Sequence, residues 1–341
     1  MSEHAAIELS EETATSKSLE STSAPAIVVE GLYRSFPGVH AVQNVSFTVE
    51  AGQVIGFVGA NGAGKTTTMR ILATLDYPDA GEVKICGYNV LNYPEEVRKR
   101  IGWMPDHYGT YPNMTVLEYL DFFSRALGFK GQDRIDRVIE VMDFTDLTSL
   151  ADRLVDKLSK GMGQRLCLGR ALLHDPEVLI LDEPAAGLDP KARVELKHLI
   201  RVLASEGKTV FISSHILSEL EEMCDSLLFI NQGEIIHHGS AESLRRGTSA
   251  ISIVDVQLAR DSERLVEWAA LSPNVTFQSA TKAGGRLQID SLDSEVIATV
   301  LRRMIQDGLL VTDFHLQERR LEDAFIEILS GIEAAGVPHS A

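Results

Sequence analysis

One run of eight residues constrains this chain more than any other: Gly59-Ala60-Asn61-Gly62-Ala63-Gly64-Lys65-Thr66. It follows the apolar stretch 54–58 and opens a helical pattern over 66–75. Glycines at these positions let successive backbone N–H groups turn inward, and the N-terminus of the helix behind them adds its partial positive charge. The spacing G-x-x-x-x-G-K-[ST] between a strand and a helix therefore reads as a cradle for a nucleotide's phosphates. Lys65 reaches the β- and γ-phosphates and the Thr66 hydroxyl faces Mg²⁺, while Gly59, Ala60, Asn61, Gly62, Ala63, Gly64 and Thr67 complete the wall. Such a cradle belongs to an α/β core, and by itself it does not separate a kinase from a GTPase or a motor.

A second apolar stretch, 178–181, ends in Asp182-Glu183-Pro184. Two adjacent carboxylates at the end of a buried strand divide the work. Asp182 is the candidate for the Mg²⁺ shell, because hard cations take oxygen ligands. Glu183 is then free to orient and deprotonate an attacking water as general base.

Strand and helix patterns alternate around these motifs. Strands are expected at 27–29, 45–49, 54–58, 178–181 and 209–213, helices at 191–203 and 217–223, and a hairpin through Ile230-Asn231-Gln232-Gly233. Between 115 and 173 the pattern is helical, with Val116, Leu117, Tyr119, Leu120 and Phe123 read as one apolar face. This is expected to be a helical subdomain over about 106–175, inserted into a first domain of 25–247. Residues 1–24, rich in Ser, Thr, Glu and Ala, read as a disordered tail. Beyond 248 the order is β-α-β-β-α-β, with a hairpin placed around Gly284-Gly285 and an amphipathic helix over 321–329, forming a small α+β domain of 248–331 before a tail of 332–341.

A formal net charge of −17 and a pI near 5.0 argue against a surface that wraps nucleic acid. Cys86, Cys167 and Cys224 are too scattered for a zinc site or a disulfide framework. No apolar run is long enough to span a bilayer and no secretory leader is evident, so direct membrane insertion is not expected.

Leu158-Ser159-Lys160-Gly161-Met162, followed by Gly163-Gln164-Arg165, resembles the signature of the ATP-binding cassette (ABC) transporter family, as a variant of L-S-G-G-Q. Physically, Ser159 and Gly161 at the head of a helix expected over 164–173 make a second anion site. Gly187-Leu188-Asp189-Pro190 resembles the family's interface loop, and His215 its switch histidine. Phe36, with Tyr33 as the alternative, resembles the aromatic that stacks on adenine. The resemblance covers about 27–246 and implies a P-loop NTPase cassette with a mixed sheet. It further implies ATP and Mg²⁺ as cofactors and a head-to-tail homodimer or heterodimer in which Ser159, Gly161 and Asp189 meet the partner's nucleotide.

The family's usual Gln is replaced by Asp106 in Ile101-Gly102-Trp103-Met104-Pro105-Asp106. A carboxylate there still faces Mg²⁺ or water but adds negative charge near the γ-phosphate. Tyr108 and Tyr111 are the candidates for contact with a membrane subunit, and Phe122 and Phe123 are read as core. The texture is most similar to stand-alone cassettes of ABC-2 type exporters. The implied place of work is the inner face of the cell membrane, in the cytoplasm, against a transmembrane permease subunit. A soluble cassette acting on ribosomes or DNA, and a scaffold that binds without hydrolysing, are the competing readings.

Overall fold

The computed structural model describes residues 24–246 and 251–317, apart from Tyr108, Thr110, Pro112 and Glu222, together with Leu321 and Phe325. The expected N-terminal tail except Ala24, the boundary at 247–248, most of the closing helix and the tail over 332–341 lie outside the described residues, as does Tyr108.

The first unit begins with a long antiparallel hairpin, β1 (Ile27–Phe36) and β2 (Val39–Val49), followed by β3 (Val54–Val58), α1 (Lys65–Leu72), β4 (Ala80–Ile85), β5 (Tyr88–Asn89), α2 (Pro94–Arg98) and β6 (Ile101–Met104). The helical insertion holds α3 (Val116–Ala126), α4 (Gly131–Phe144) and α5 (Lys160–Leu172). Then come β7 (Val178–Leu181), α6 (Pro190–Ser205), β8 (Thr209–Ser214), α7 (Leu217–Glu221), β9 (Ser226–Asn231), β10 (Glu234–Gly239) and α8 (Ala241–Arg246).

Two sheets result, a four-stranded one in the order β2-β1-β4-β5 and a six-stranded one in the order β10-β9-β3-β8-β7-β6. In the larger sheet β9, β3, β8, β7 and β6 run parallel, and β10 pairs antiparallel at one edge. Parallel strands need cover on both faces, which is why 54–58 and 178–181 are apolar without alternation. Successive side chains nevertheless part to opposite sides. Val54, Val58, Leu179, Leu181, Val210 and Ile212 join the cluster under the helical insertion and α6, while Ile55, Phe57, Val178, Ile180 and Phe211 join the cluster shared with the smaller sheet and α1. Phe47 of the smaller sheet stacks on Phe211 of the larger, centroids 5.5 Å apart. Truncating Phe211 to Ala would cost about 3–5 kcal/mol at such a site.

Helix α3 starts where Thr115 and Glu118 form a reciprocal capping box. Its buried face is Val116, Tyr119 and Leu120, with Phe123 packed against the same cluster. Leu117 departs from the expected face and is exposed, because a step of about 100° per residue swings it off the 116, 119, 120, 123 row. Phe122 also departs from its core reading. It is exposed, and its ring meets Phe123 edge-on at 5.2 Å and Tyr111 at 5.9 Å.

The second unit contains β11 (Ser252–Leu258), α9 (Arg264–Leu271), β12 (Val275–Thr281), β13 (Gly284–Ile289), α10 (Ser294–Gln306) and β14 (Val311–Leu316) in one antiparallel sheet of order β12-β13-β11-β14. The hairpin turns at Lys282-Ala283, not at the glycine pair. Gly284 and Gly285 lie inside β13, where an added Cβ would collide with the Val256 carbonyl and the Phe277 ring respectively. A close approach between strands, not a turn, selects them. Leu321 and Phe325, one helical turn apart, return to the first unit. Leu321 is buried in the cluster beneath the helical insertion, and the Phe325 ring lies 5.0 Å from Phe229.

Candidate active site

Strand β3 delivers the 59–66 loop at its C-terminal end. Gly59 is held there because a Cβ would strike the Ile230 carbonyl, and Gly64 because its φ of 108° is one that side chains avoid. Gly64 also caps α1 without any side-chain hydrogen bond, leaving the helix's first N–H groups free of a side-chain acceptor. The β9–β10 turn braces the loop from behind, with the Gly233 N–H donating to the Ala63 carbonyl at 3.0 Å and the Gln43 N–H to the Gly233 carbonyl at 2.8 Å.

A cavity of about 480 Å³ opens on this loop, lined by Asn61, Gly62, Gly64, Lys65, Thr66 and Thr67 on one side and by Phe36, Asp106, Glu183 and His215 on the others. Phe36 stands at the β1–β2 turn with the Arg34 guanidinium 4.6 Å above its ring, and Tyr33 does not line the cavity. The Lys65 ammonium donates to the carbonyls of Gly59 at 2.7 Å and Ala60 at 3.2 Å, and lies 3.6 Å from Glu183 Oε1. His215 Nδ1 meets Glu183 Oε2 at 2.8 Å. The carboxylate of Glu183 is thus held between a cation and an imidazole.

The backbone at Glu183 has φ +49°, in the left-handed region. That costs a non-glycine residue about 1–2 kcal/mol. The Ser213 hydroxyl stabilises the bend by accepting the Glu183 N–H at 2.8 Å while donating to Asp182 Oδ1 at 2.6 Å. Ser213 is a fully buried organiser of the site that the sequence reading did not single out. Its signal was present in the pair Ser213-Ser214 between a buried strand and His215.

Asp182 is 1% exposed. Burial pushes its carboxyl above the usual carboxylate range, opposed by hydrogen bonds from Ser213 and Thr66 and reinforced by the nearby charges of Glu183 and Asp106. A buried carboxylate with two hydroxyl partners and like charges around it is a fitting oxygen donor for a small divalent cation. No cluster of three or more His, Cys, Asp or Glu side chains suited to a metal occurs among the described residues. A Mg²⁺ ion here would take Asp182 and Thr66 from the chain and its remaining ligands from phosphate oxygens and water. Asp106 lines the same cavity, its Oδ2 2.8 Å from His107 Nδ1.

Ser159, Gly161 and Asp189 are not brought to this cavity. The helix at Ser159 begins at Lys160, four residues earlier than expected, because the Ser159 hydroxyl accepts the Met162 N–H and so starts the first turn. Asp189 caps α6 by accepting the Ala192 N–H at 2.9 Å. The two helix heads pack on each other, since a Cβ on Gly161 would lie 3.0 Å from that of Ala192.

A phosphate cradle on a parallel sheet, a carboxylate pair at the neighbouring strand end, a histidine beyond it and an inserted helical arm define a P-loop nucleotide-binding cassette. The family model for ABC transporters matches residues 42–186. A probable multidrug ABC transporter ATP-binding protein, YbhF of Escherichia coli, is 33% identical over 317 residues, 92% of this chain and 54% of the relative, so the chain spans about half of that protein's length. The Nod factor export ATP-binding protein I of Burkholderia lata is 40% identical over 215 residues, covering 63% of this chain and 71% of the relative. NatA, an ABC transporter ATP-binding protein of Bacillus subtilis, is 39% identical over 60% of this chain and 84% of its own. The chain therefore belongs to the ABC transporter family and carries its ATP-binding cassette. Among solved structures, an ATP-binding subunit of an ABC transporter superposes with a TM-score of 0.59 at 28% identity, over 65% of this chain and 92% of that one. The dimeric bacterial cassette MJ0796 does so with a TM-score of 0.58 at 25% identity, over 63% and 98%.

Proposed function

We propose that this chain binds Mg-ATP in the cavity at the head of α1 and hydrolyses it, with a second cassette closing over the nucleotide, to power a separate transmembrane export subunit. The observation that carries the reading is the convergence of Lys65, Glu183 and His215 in one cavity, with Glu183 contacting both of the others. Phe36 offers its face to the adenine, and the free N–H groups of the 59–66 loop take the phosphates. The Lys65 ammonium, now on the loop's own carbonyls, transfers to the β- and γ-phosphates, which are stronger acceptors.

Glu183, beside Lys65, accepts the proton of the attacking water, and His215 orients that carboxylate and stabilises charge on the γ-phosphate. A bound Mg²⁺ would supply neutralisation of the phosphate charge. Asp182 and Thr66 would hold it, and Asp106 lines the same cavity. Asp106 brings an extra negative charge there, which slows turnover relative to an amide at that place.

Ser159, Gly161 and Asp189 form a second head that lies outside the chain's own cavity, and this supports a head-to-tail dimer in which they clamp the partner's γ-phosphate. The dimeric form of MJ0796 and the export names of the relatives support the same reading. No helix among the described residues is long and apolar enough to cross a membrane. The chain reaches the inner face of the membrane by docking on a permease, with Tyr111 and Phe122 as exposed aromatic contacts.

Co-purification of the tagged chain from detergent-solubilised membranes of its own cells tests this, with ATPase activity assayed on the complex. A polytopic membrane protein in the eluate with ATP turnover is expected. Ribosomal or DNA-repair proteins in its place would overturn the transport reading.

A further inference from the structure

Glu219 is a buried carboxylate that the scheme above leaves without a task. Its side chain is 3% exposed, and it sits on α7, just beyond His215. Each of its oxygens faces a different element. Oε2 accepts from the Ser214 hydroxyl at 3.0 Å, and Oε1 pairs with Arg193 at 3.2 Å. Ser214 is the last residue of β8 and is itself buried. Its hydroxyl also accepts the Ile216 N–H at 3.0 Å, so the backbone on both sides of His215 is fastened to one side chain. Arg193 rises from the start of α6, and the nitrogen that meets Glu219 also lies 3.5 Å from the Leu188 carbonyl in the 187–189 loop.

Burying the Glu219 carboxylate against an Arg193 side chain that stays 40% exposed is an expensive way to hold a helix, since apolar residues of similar size often do so at least as well. What an ion pair adds is a fixed geometry among three elements. Here those elements are the turn that presents His215, the helix α7 and the loop preceding α6.

We infer that Glu219 is a positioning residue for the hydrolysis reaction. It sets the His215 ring against Glu183 through Ser214, and through Arg193 it ties that setting to the 187–189 loop. This rests on the proposed roles of Glu183 and His215 and extends them. Contact by a second cassette on the 187–189 loop reaches the histidine by way of Leu188, Arg193, Glu219 and Ser214, so that the ring is in register when the dimer is closed.

The test is a pair of double-mutant cycles. Glu219→Gln keeps the shape and an acceptor for Ser214 but loses the charge that holds Arg193, and Ser214→Ala removes the link to the turn. Each is expected to lower kcat about 10-fold while KM for ATP and Tm stay near wild type, since small displacements of reacting groups cost this much or more. In a His215→Ala background neither should lower kcat further, because residues acting through one group are non-additive. An independent 10-fold loss in that background, or a Glu219→Gln variant at wild-type rate, overturns the assignment. Absence of turnover in the wild type, or wild-type turnover in His215→Ala, would strike the functional reading instead. The positioning is then read without catalysis, from the NMR signal of the His215 ring in the nucleotide-free chain. That signal should move in both Glu219→Gln and Ser214→Ala, and an unmoved signal overturns the inference.

Discussion

The heads of α1 and α5 are made of the same ingredients, small residues turning into a helix N-terminus, yet they are finished differently. At α1 the helix is left without a side-chain cap, a lysine projects from its first turn, and a cavity of about 480 Å³ opens in front of it. At α5 the Ser159 hydroxyl takes up an N–H of the first turn, and the surroundings are α6 and the 187–189 loop. One head comes with the counterpart groups for a phosphate chain, and the other comes with a packing partner. The difference teaches that a helix head with the ingredients of a phosphate site is completed by what the fold brings opposite to it, and that on the proposed function the head finished only by packing meets its ligand on a second cassette.

The largest effect that would sharpen this contrast is at Glu183. Glu183→Gln should bind ATP and lose kcat by about 1000-fold, within the range for removal of a general base. Steady-state turnover at the wild-type rate would place the base elsewhere and leave the α1 head as a binding site only. Next, Lys65→Ala should weaken ATP binding by about 2–3 kcal/mol, on the order of 100-fold in Kd, as for loss of charge-assisted hydrogen bonds. Calorimetric titration of the isolated chain measures it.

Ser159→Ala should leave that titration unchanged and lower turnover about 10-fold, equivalent to about 1.4 kcal/mol of lost transition-state stabilisation. If instead it weakens binding in the isolated chain as Lys65→Ala does, the two heads serve one nucleotide and the contrast is broken. The smallest effect concerns stability. Burial raises the Asp182 carboxyl above its ordinary value, so its ionised form costs the nucleotide-free fold. Asp182→Asn should therefore raise Tm modestly near neutral pH. The gap should narrow as pH falls, because the wild-type carboxyl takes up its proton in the folded chain before it would in the unfolded one. Thermal melts of both proteins across pH would show a constant gap if the carboxylate were costless.

The 59–66 loop and the adjacent carboxylates Asp182 and Glu183 were legible as local features because each is contiguous and follows an apolar stretch short enough to read as a buried strand, as β3 and β7 are. The expected order of strands and helices in the second unit was legible for the same reason. What escaped was set by contacts between distant positions. Ser213 became an organiser only once β7 and β8 lay side by side, and Glu219 acquired meaning from Arg193 on a different helix. Gly284 and Gly285 looked like a turn because glycine is common in turns, whereas β11 and β12 crowding them is invisible in one dimension. Leu117 and Phe122 show the limit of periodicity, since an apolar residue next to a buried row is easily counted into it.

Leu321 fills a place in the hydrophobic cluster of the first unit, although the whole of the second unit precedes it in the chain. On a ribosome, synthesis runs at about 5–20 residues per second, and domains generally fold as they emerge. The nucleotide-binding unit is therefore exposed for on the order of ten seconds with an apolar seat unfilled, and only the late arrival of Leu321 and Phe325 closes it. A translation product that stops short of Leu321 would carry that opening permanently, an apolar surface available to whatever binds exposed hydrophobic groups.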